Sequence, residues 1–177
     1  CLPLAVSPEQ IDQLDAILKR GRPLRRGEHL YRASEPFTSV YAVRSGALKT
    51  YELTDDGEEQ VNGFYLPGEV VGMDGVSTAY HGNSAQALET ASVCEVPFEQ
   101  MESLSLRIPS LQHHFFQLMS QEIKRDREVH LLLSRKTAEE RLVAILLSLY
   151  ARARHRGLSD THIRLPMSSG DMANYMG

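Results

Sequence analysis

From Pro109 to Ser134 the chain runs for about 25 residues without a helix breaker, with apolar side chains three or four positions apart. A helix of that length measures about 38 Å at 1.5 Å per residue. Such length implies a task beyond local packing. Two lines of side chains run along it. Phe116, Met119, Ile123, Asp126, His130 and Leu133 step by 3, 4, 3, 4, 3; Leu111, Phe115, Leu118, Glu122, Arg125, Val129 and Leu132 form the second. The helix is either buried on both sides within one chain, or it packs by one stripe and offers the other to a partner helix. Asp126 favours the partner. In a two-fold pairing it would face its own copy, and two close carboxylates repel, which makes pairing conditional.

Ahead of this helix the texture differs. From Leu24 to Pro97, short segments rich in Val, Tyr, Leu and Phe are cut by turn signals such as Arg26-Gly27, Ser45-Gly46, Leu66-Pro67-Gly68 and His81-Gly82-Asn83. That spacing predicts a small all-β roll. Its clearest hairpin joins Leu48–Leu53 to Glu59–Tyr65 through Asp55-Asp56-Gly57. Three capping signals predict helices outside it. Ser7-Pro8-Glu9-Gln10 opens one carrying Ile11, Leu14 and Leu18, which Gly21 and Pro23 should stop; Thr137-Ala138-Glu139-Glu140 opens another, ending at Arg156-Gly157; Ser168-Ser169-Gly170-Asp171 starts the last. A short helix spans Phe98 to Leu106, and a short strand is expected from His162 to Leu165.

The net charge of −4 argues against a nucleic-acid binder by bulk electrostatics, although a small basic module escapes that argument. No apolar run reaches the roughly 18 residues needed to cross a bilayer, and the first residues lack the pattern of a secretory leader, so a cytoplasmic location is expected. Both ends read as cut. Enzyme chemistry is not expected. The roll offers only His29 and His81, each alone, His113-His114 point to different sides of a helix, and no nucleophile–base pair or phosphate-cradling loop stands out. The two cysteines, Cys1 and Cys94, cannot complete a metal site by themselves; a lone Cys in a strand such as Ser92-Val93-Cys94-Glu95-Val96 also serves as a small buried hydrophobe.

Several stretches closely resemble the FNR-type branch of the cyclic-AMP-receptor-like (CRP/FNR) transcription regulators: Ser39-Val40-Tyr41-Ala42-Val43-Arg44-Ser45-Gly46, Ala85-Gln86-Ala87-Leu88-Glu89-Thr90, Met119-Ser120-Gln121-Glu122-Ile123-Lys124, Leu131-Leu132-Leu133-Ser134-Arg135-Lys136, and Gly170-Asp171-Met172-Ala173-Asn174-Tyr175-Met176-Gly177. The resemblance implies an α+β chain. Residues 1–107 would be a sensor β-roll of the cyclic-nucleotide-binding jelly-roll kind, with a cluster-loop remnant and a helix at its start. Residues 108–136 would be the dimerisation helix, and 137–177 the front of a winged helix-turn-helix domain whose recognition helix is missing.

The resemblance further implies an oxygen-labile [4Fe-4S] cluster on four Cys, with Cys1 and Cys94 as two ligands and two more upstream; no intact cluster is expected in this fragment. Cluster assembly would drive a homodimer along Phe116, Met119, Ile123, Asp126, His130 and Leu133, and with it activation of anaerobic genes on double-stranded DNA. Ser168 and Ser169 would contact the DNA backbone. Asp56, Gly57 and Glu58 match a loop that touches RNA polymerase, although a solvated turn explains them equally. Cyclic nucleotide is not expected, since Gly72-Met73-Asp74-Gly75 and Gly82-Asn83-Ser84 provide no Arg for its phosphate. The alternative is a regulator of the same fold that senses a small molecule or haem without a cluster.

Overall fold

A computed structural model describes residues 7–157 and 164–177; Cys1 and the expected strand residues His162 and Ile163 lie outside them, and Arg164 and Leu165 take no strand conformation. Helix α1 (Pro8–Ile17) starts as its sequence dictates. The Ser7 amide donates to Gln10 Oε1 at 2.9 Å, and the Gln10 amide donates back to Ser7 Oγ at 3.4 Å. It stops before the expected Gly21. Lys19–Arg20 form strand β1 instead, paired antiparallel with Glu95 and Cys94. An open sheet edge leaves backbone donors and acceptors unmet, and two extended residues there satisfy more of them than another half-turn of helix would.

The roll is two four-stranded antiparallel sheets. Its remaining strands are β2 (His29–Tyr31), β3 (Ser39–Ser45), β4 (Leu48–Leu53), β5 (Glu59–Tyr65), β6 (Val70–Val71), β7 (Ser84–Ala87) and β8 (Ser92–Pro97). One sheet has the order β1-β8-β3-β6, the other β2-β7-β4-β5. The β4–β5 hairpin has the expected bounds, and Gly57 at its tip takes φ +80°, which a β-carbon would resist.

Alternation along the strands divides the apolar residues into layers. Val43, Leu48, Tyr65, Val71, Ala85 and Ala87 fill the space between the sheets. Val40, Ala42, Cys94 and Val96 face outward from the first sheet and are covered by α1, by α2 (Phe98–Ser105) and by the start of α3 (Pro109–Arg135). The outer face of the second sheet, with Tyr51, Val61 and Phe64, is covered by α4 (Ala138–His155) and α5 (Ser169–Met176) through Ile145, Leu149, Met172 and Tyr175. Burying each such side chain stabilises by about 1.5–3 kcal/mol, so these helices are held firmly on the roll. The expected capping boxes are present at Thr137/Glu140 and Ser168/Asp171.

Candidate functional site

Helix α3, 27 residues long, carries two unlike faces. Leu111 is buried, and Phe115, Leu118, Glu122, Arg125, Val129 and Leu132 are half-buried. The Tyr65 hydroxyl donates to Glu122 Oε1 at 2.7 Å, and Arg125 pairs with Glu122 at 3.1 Å and lies over the Tyr65 ring. Burial raises the Glu122 carboxyl above its ordinary value, and the nearby Arg125 charge and the Tyr65 hydrogen bond offset this only in part. The other line is turned to solvent. Phe116 is 58% exposed and Ile123 52%; Asp126 and His130 are exposed, and Met119 and Leu133 half-buried. The line is thus a partly exposed apolar stripe broken by one carboxylate, with Phe116 and Ile123 its most exposed apolar members.

Cys94 is 4% exposed and carries a free thiol. It projects into the layer between the first sheet and the helices, sharing a cluster with Val40, Ala42, Val96 and Met101, against which Ile17, Phe115 and Leu118 also pack. As a soft donor it suits iron. It fits as one ligand of such a group and only one: no set of three His, Cys, Asp or Glu converges on a metal position among the described residues.

The Gly82–Asn83 turn of the roll is held by a carboxylate, that of Asp74. Asp74 accepts from the Gly82 and Asn83 amides at 2.7 and 3.3 Å, and pairs with His81 at 3.3 Å. His81 in turn stacks on Tyr31, with ring centres 3.7 Å apart. Beside this lies a cavity of about 420 Å³ between the roll and α3, lined by Glu52, Asp74, Glu122 and Asp126 among others and, among the described residues, by no Lys or Arg.

A second polar centre joins roll, α3 and α4. Glu69 is 2% exposed and accepts from Arg152 Nε at 2.9 Å and from the Leu66 amide at 2.8 Å, with Arg125 and Arg156 at 3.7 and 3.8 Å. Burial alone would raise its carboxyl. The hydrogen-bonded Arg152 guanidinium, together with the charges around it, outweighs that and holds the carboxyl below the usual range. Arg141 ties the helix ends together, donating to Leu133 O at 2.7 Å and Met176 O at 2.8 Å.

The remaining predicted residues lie apart from these centres. Ser168 and Ser169 are exposed at the start of α5, Ser168 being its cap. Asp56, Gly57 and Glu58 are exposed at the hairpin tip, where Thr54 closes the turn by accepting from Gly57 N at 2.8 Å. Lys49, Glu69, Asp74 and Arg152 were not legible as site residues. The available signal was a charge inside an apolar strand, as in Ala47-Leu48-Lys49-Thr50-Tyr51 and Glu69-Val70-Val71.

A two-sheet roll followed by a long helix and two capped helices defines the class: residues 21–107 match the cyclic nucleotide-binding domain family. Among solved structures, FixK2 from Bradyrhizobium japonicum superposes with a TM-score of 0.79 at 30% identity, over 90% of this chain and 77% of that one. The whole chain is 54% identical to the transcriptional activator protein Anr of Pseudomonas aeruginosa, covering 72% of it, and 45% identical to the fumarate and nitrate reduction regulatory protein of Escherichia coli, covering 71%. The chain belongs to the FNR/Anr branch of the CRP/FNR transcription regulators.

Proposed function

We propose that this chain is the sensing and pairing part of an oxygen-responsive transcription activator, which binds double-stranded DNA as a homodimer in the cytoplasm and switches on genes used without air. The observation that carries this reading is the exposed α3 stripe with Asp126 at its centre. Pairing two copies buries Phe116, Met119 and Ile123, continues through His130 and Leu133, and brings two Asp126 carboxylates together. The gain from burial is largely offset by the cost of association, so a carboxylate repulsion of about 1–2 kcal/mol leaves the pairing poised and a modest input decides the state.

Cys94 is one proposed ligand and Cys1 another, with two further thiolates from outside this stretch of sequence. When bound, a [4Fe-4S] cluster supplies an oxygen-labile link among four thiolates. Cys94 holds its corner of that link in the layer that also contains Phe115 and Leu118, so a change there bears directly on the seating of α3. Residues 1–107 act as sensor, 108–136 as the pairing helix and 137–177 as the start of the DNA-binding half. The exposed first turn of α5, with Ser168 and Ser169, lies against phosphates. The acidic tip at Asp56, Gly57 and Glu58 is the surface offered to RNA polymerase. Cyclic nucleotide is not the signal, because Asp74 already takes the Gly82 and Asn83 amides and the cavity walls would repel a phosphate. That same cavity favours a second reading, in which a small molecule or haem supplies the input without a cluster.

The test is the full-length protein purified without air. Iron, acid-labile sulfide and a visible absorption band are expected, and all three are expected to vanish in Cys94→Ala. An unchanged band in that variant would refute the cluster assignment, and haem or no iron in the wild type would favour the second reading.

A further inference from the structure

Lys49 is a cation in an unusual place: 6% exposed, at the second position of β4, with its Nζ 5.3 Å from the centre of the Tyr51 ring. It donates to Glu59 Oε2 at 2.6 Å and to Asp171 Oδ1 at 2.9 Å. Glu59 belongs to the same hairpin. Asp171 lies 122 positions away, in the first turn of α5, where it also completes the capping box with Ser168. One turn further, Asn174 grips the strand next to Lys49. Its Oδ1 accepts from the Val61 amide at 2.5 Å, its Nδ2 donates to Glu59 O, and its own carbonyl accepts from Gln60 Nε2 at 2.9 Å. Strand β5 is the outermost strand of its sheet, so the Asn174 amide takes up ladder positions that the edge leaves open.

Asp171 and Asn174, three apart, share one face of α5. Met172 and Tyr175 are buried beside them, with the Tyr175 and Phe64 rings 5.0 Å apart, while Ser168, Ser169, Gly170 and Ala173 stay exposed. Apolar contact alone is non-directional and would let a two-turn helix slide or roll on the sheet. Two directional attachments one turn apart fix both its position and its rotation.

We propose that Lys49 is a positioning residue for DNA binding: through Asp171 it clasps α5 to the β4–β5 hairpin, so that the exposed first turn of α5 is held at a set angle to the paired α3 helices. The inference rests on the DNA-binding reading above. A dimer reads two half-sites at one spacing, and a helix free to roll must be ordered at the moment of binding, which weakens affinity.

The test compares the full-length wild type with Lys49→Met, Asp171→Asn and the double variant. Affinity is measured at fixed salt toward a duplex selected in vitro with the wild type, and amide exchange is followed in α5, β3 and β8. Each single variant is expected to lose about tenfold in affinity, and the double no more than the worse single, as for two ends of one contact. Faster exchange is expected in α5 with β3 and β8 unchanged, a pattern that general destabilisation would not give. Losses that multiply in the double, or α5 exchange at the wild-type rate, overturn the clasp. Should Lys49→Met not fold, Asp171→Asn carries the test alone, because Asn keeps a capping oxygen. Should the wild type select no duplex at all, the DNA-binding reading fails, and α5 exchange still decides the clasp.

Discussion

Replacing Asp126 with Ala should strengthen pairing, and the size of the effect can be worked from its position. Asp126 is exposed on the outward line of α3, with Ile123 and His130 about a turn to either side. In a two-fold pair its carboxylate meets its copy at about 5 Å, where two charges repel by about 2–3 kcal/mol at an effective dielectric of 20–40. Exposure and salt screening reduce this to about 1–2 kcal/mol at 0.1 M ionic strength. The dimer dissociation constant of Asp126→Ala should therefore fall about 5- to 30-fold relative to the wild type without its cluster. Sedimentation equilibrium in air measures this directly, and raising the salt toward 1 M should shrink the difference as the wild-type repulsion is screened. Glu128→Ala is the control: Glu128 is 60% exposed, lies off this line and pairs with Lys124 at 3.7 Å on the same helix, so its loss should leave association unchanged. Equal effects from both variants, or none from Asp126→Ala, would refute the seam.

Two further outcomes test the scaffold. Arg152→Met removes the hydrogen-bonded partner of the buried Glu69 carboxylate and should lower stability by about 3 kcal/mol in urea at pH 7. Glu69 titrates below its unfolded value, so its contribution is present above the ordinary carboxylate range and is lost as pH falls through the lowered folded value; the gap between the two proteins should narrow in acid. Gly46→Ala should cost more than about 2 kcal/mol, because Gly46 takes φ +73° and a methyl group there would lie 2.7 Å from Ala91 Cα; a smaller loss would mean that this turn can relax.

What could be read from the sequence was whatever local chemistry decides. Ser7, Thr137 and Ser168 each announce a helix through partners three residues away, Asp55-Asp56-Gly57 sets its hairpin, and the period along α3 separates its inner and outer faces. Strand β1 was not legible, because two residues carry no periodicity and only the open edge of β8 makes them a strand. Nor was the docking of α4 and α5 on the roll. It depends on Glu69 meeting Arg152 across 83 positions and Lys49 meeting Asp171 across 122, pairings that no local pattern encodes. For Cys94 both readings made from the sequence stand side by side: a soft thiol proposed as a ligand and, buried among Val40, Ala42 and Met101, a small apolar side chain.

The central claim is that sulfur-bound iron tips a pairing which Asp126 keeps poised. Sedimentation of the full-length protein at one concentration, first without air and then after exposure to it, with iron and sulfide measured on the same samples, tests that claim most directly. A dimer that loses its iron and falls to monomer in air is the result predicted. A protein that pairs equally tightly with and without iron, or never holds iron at all, would contradict it.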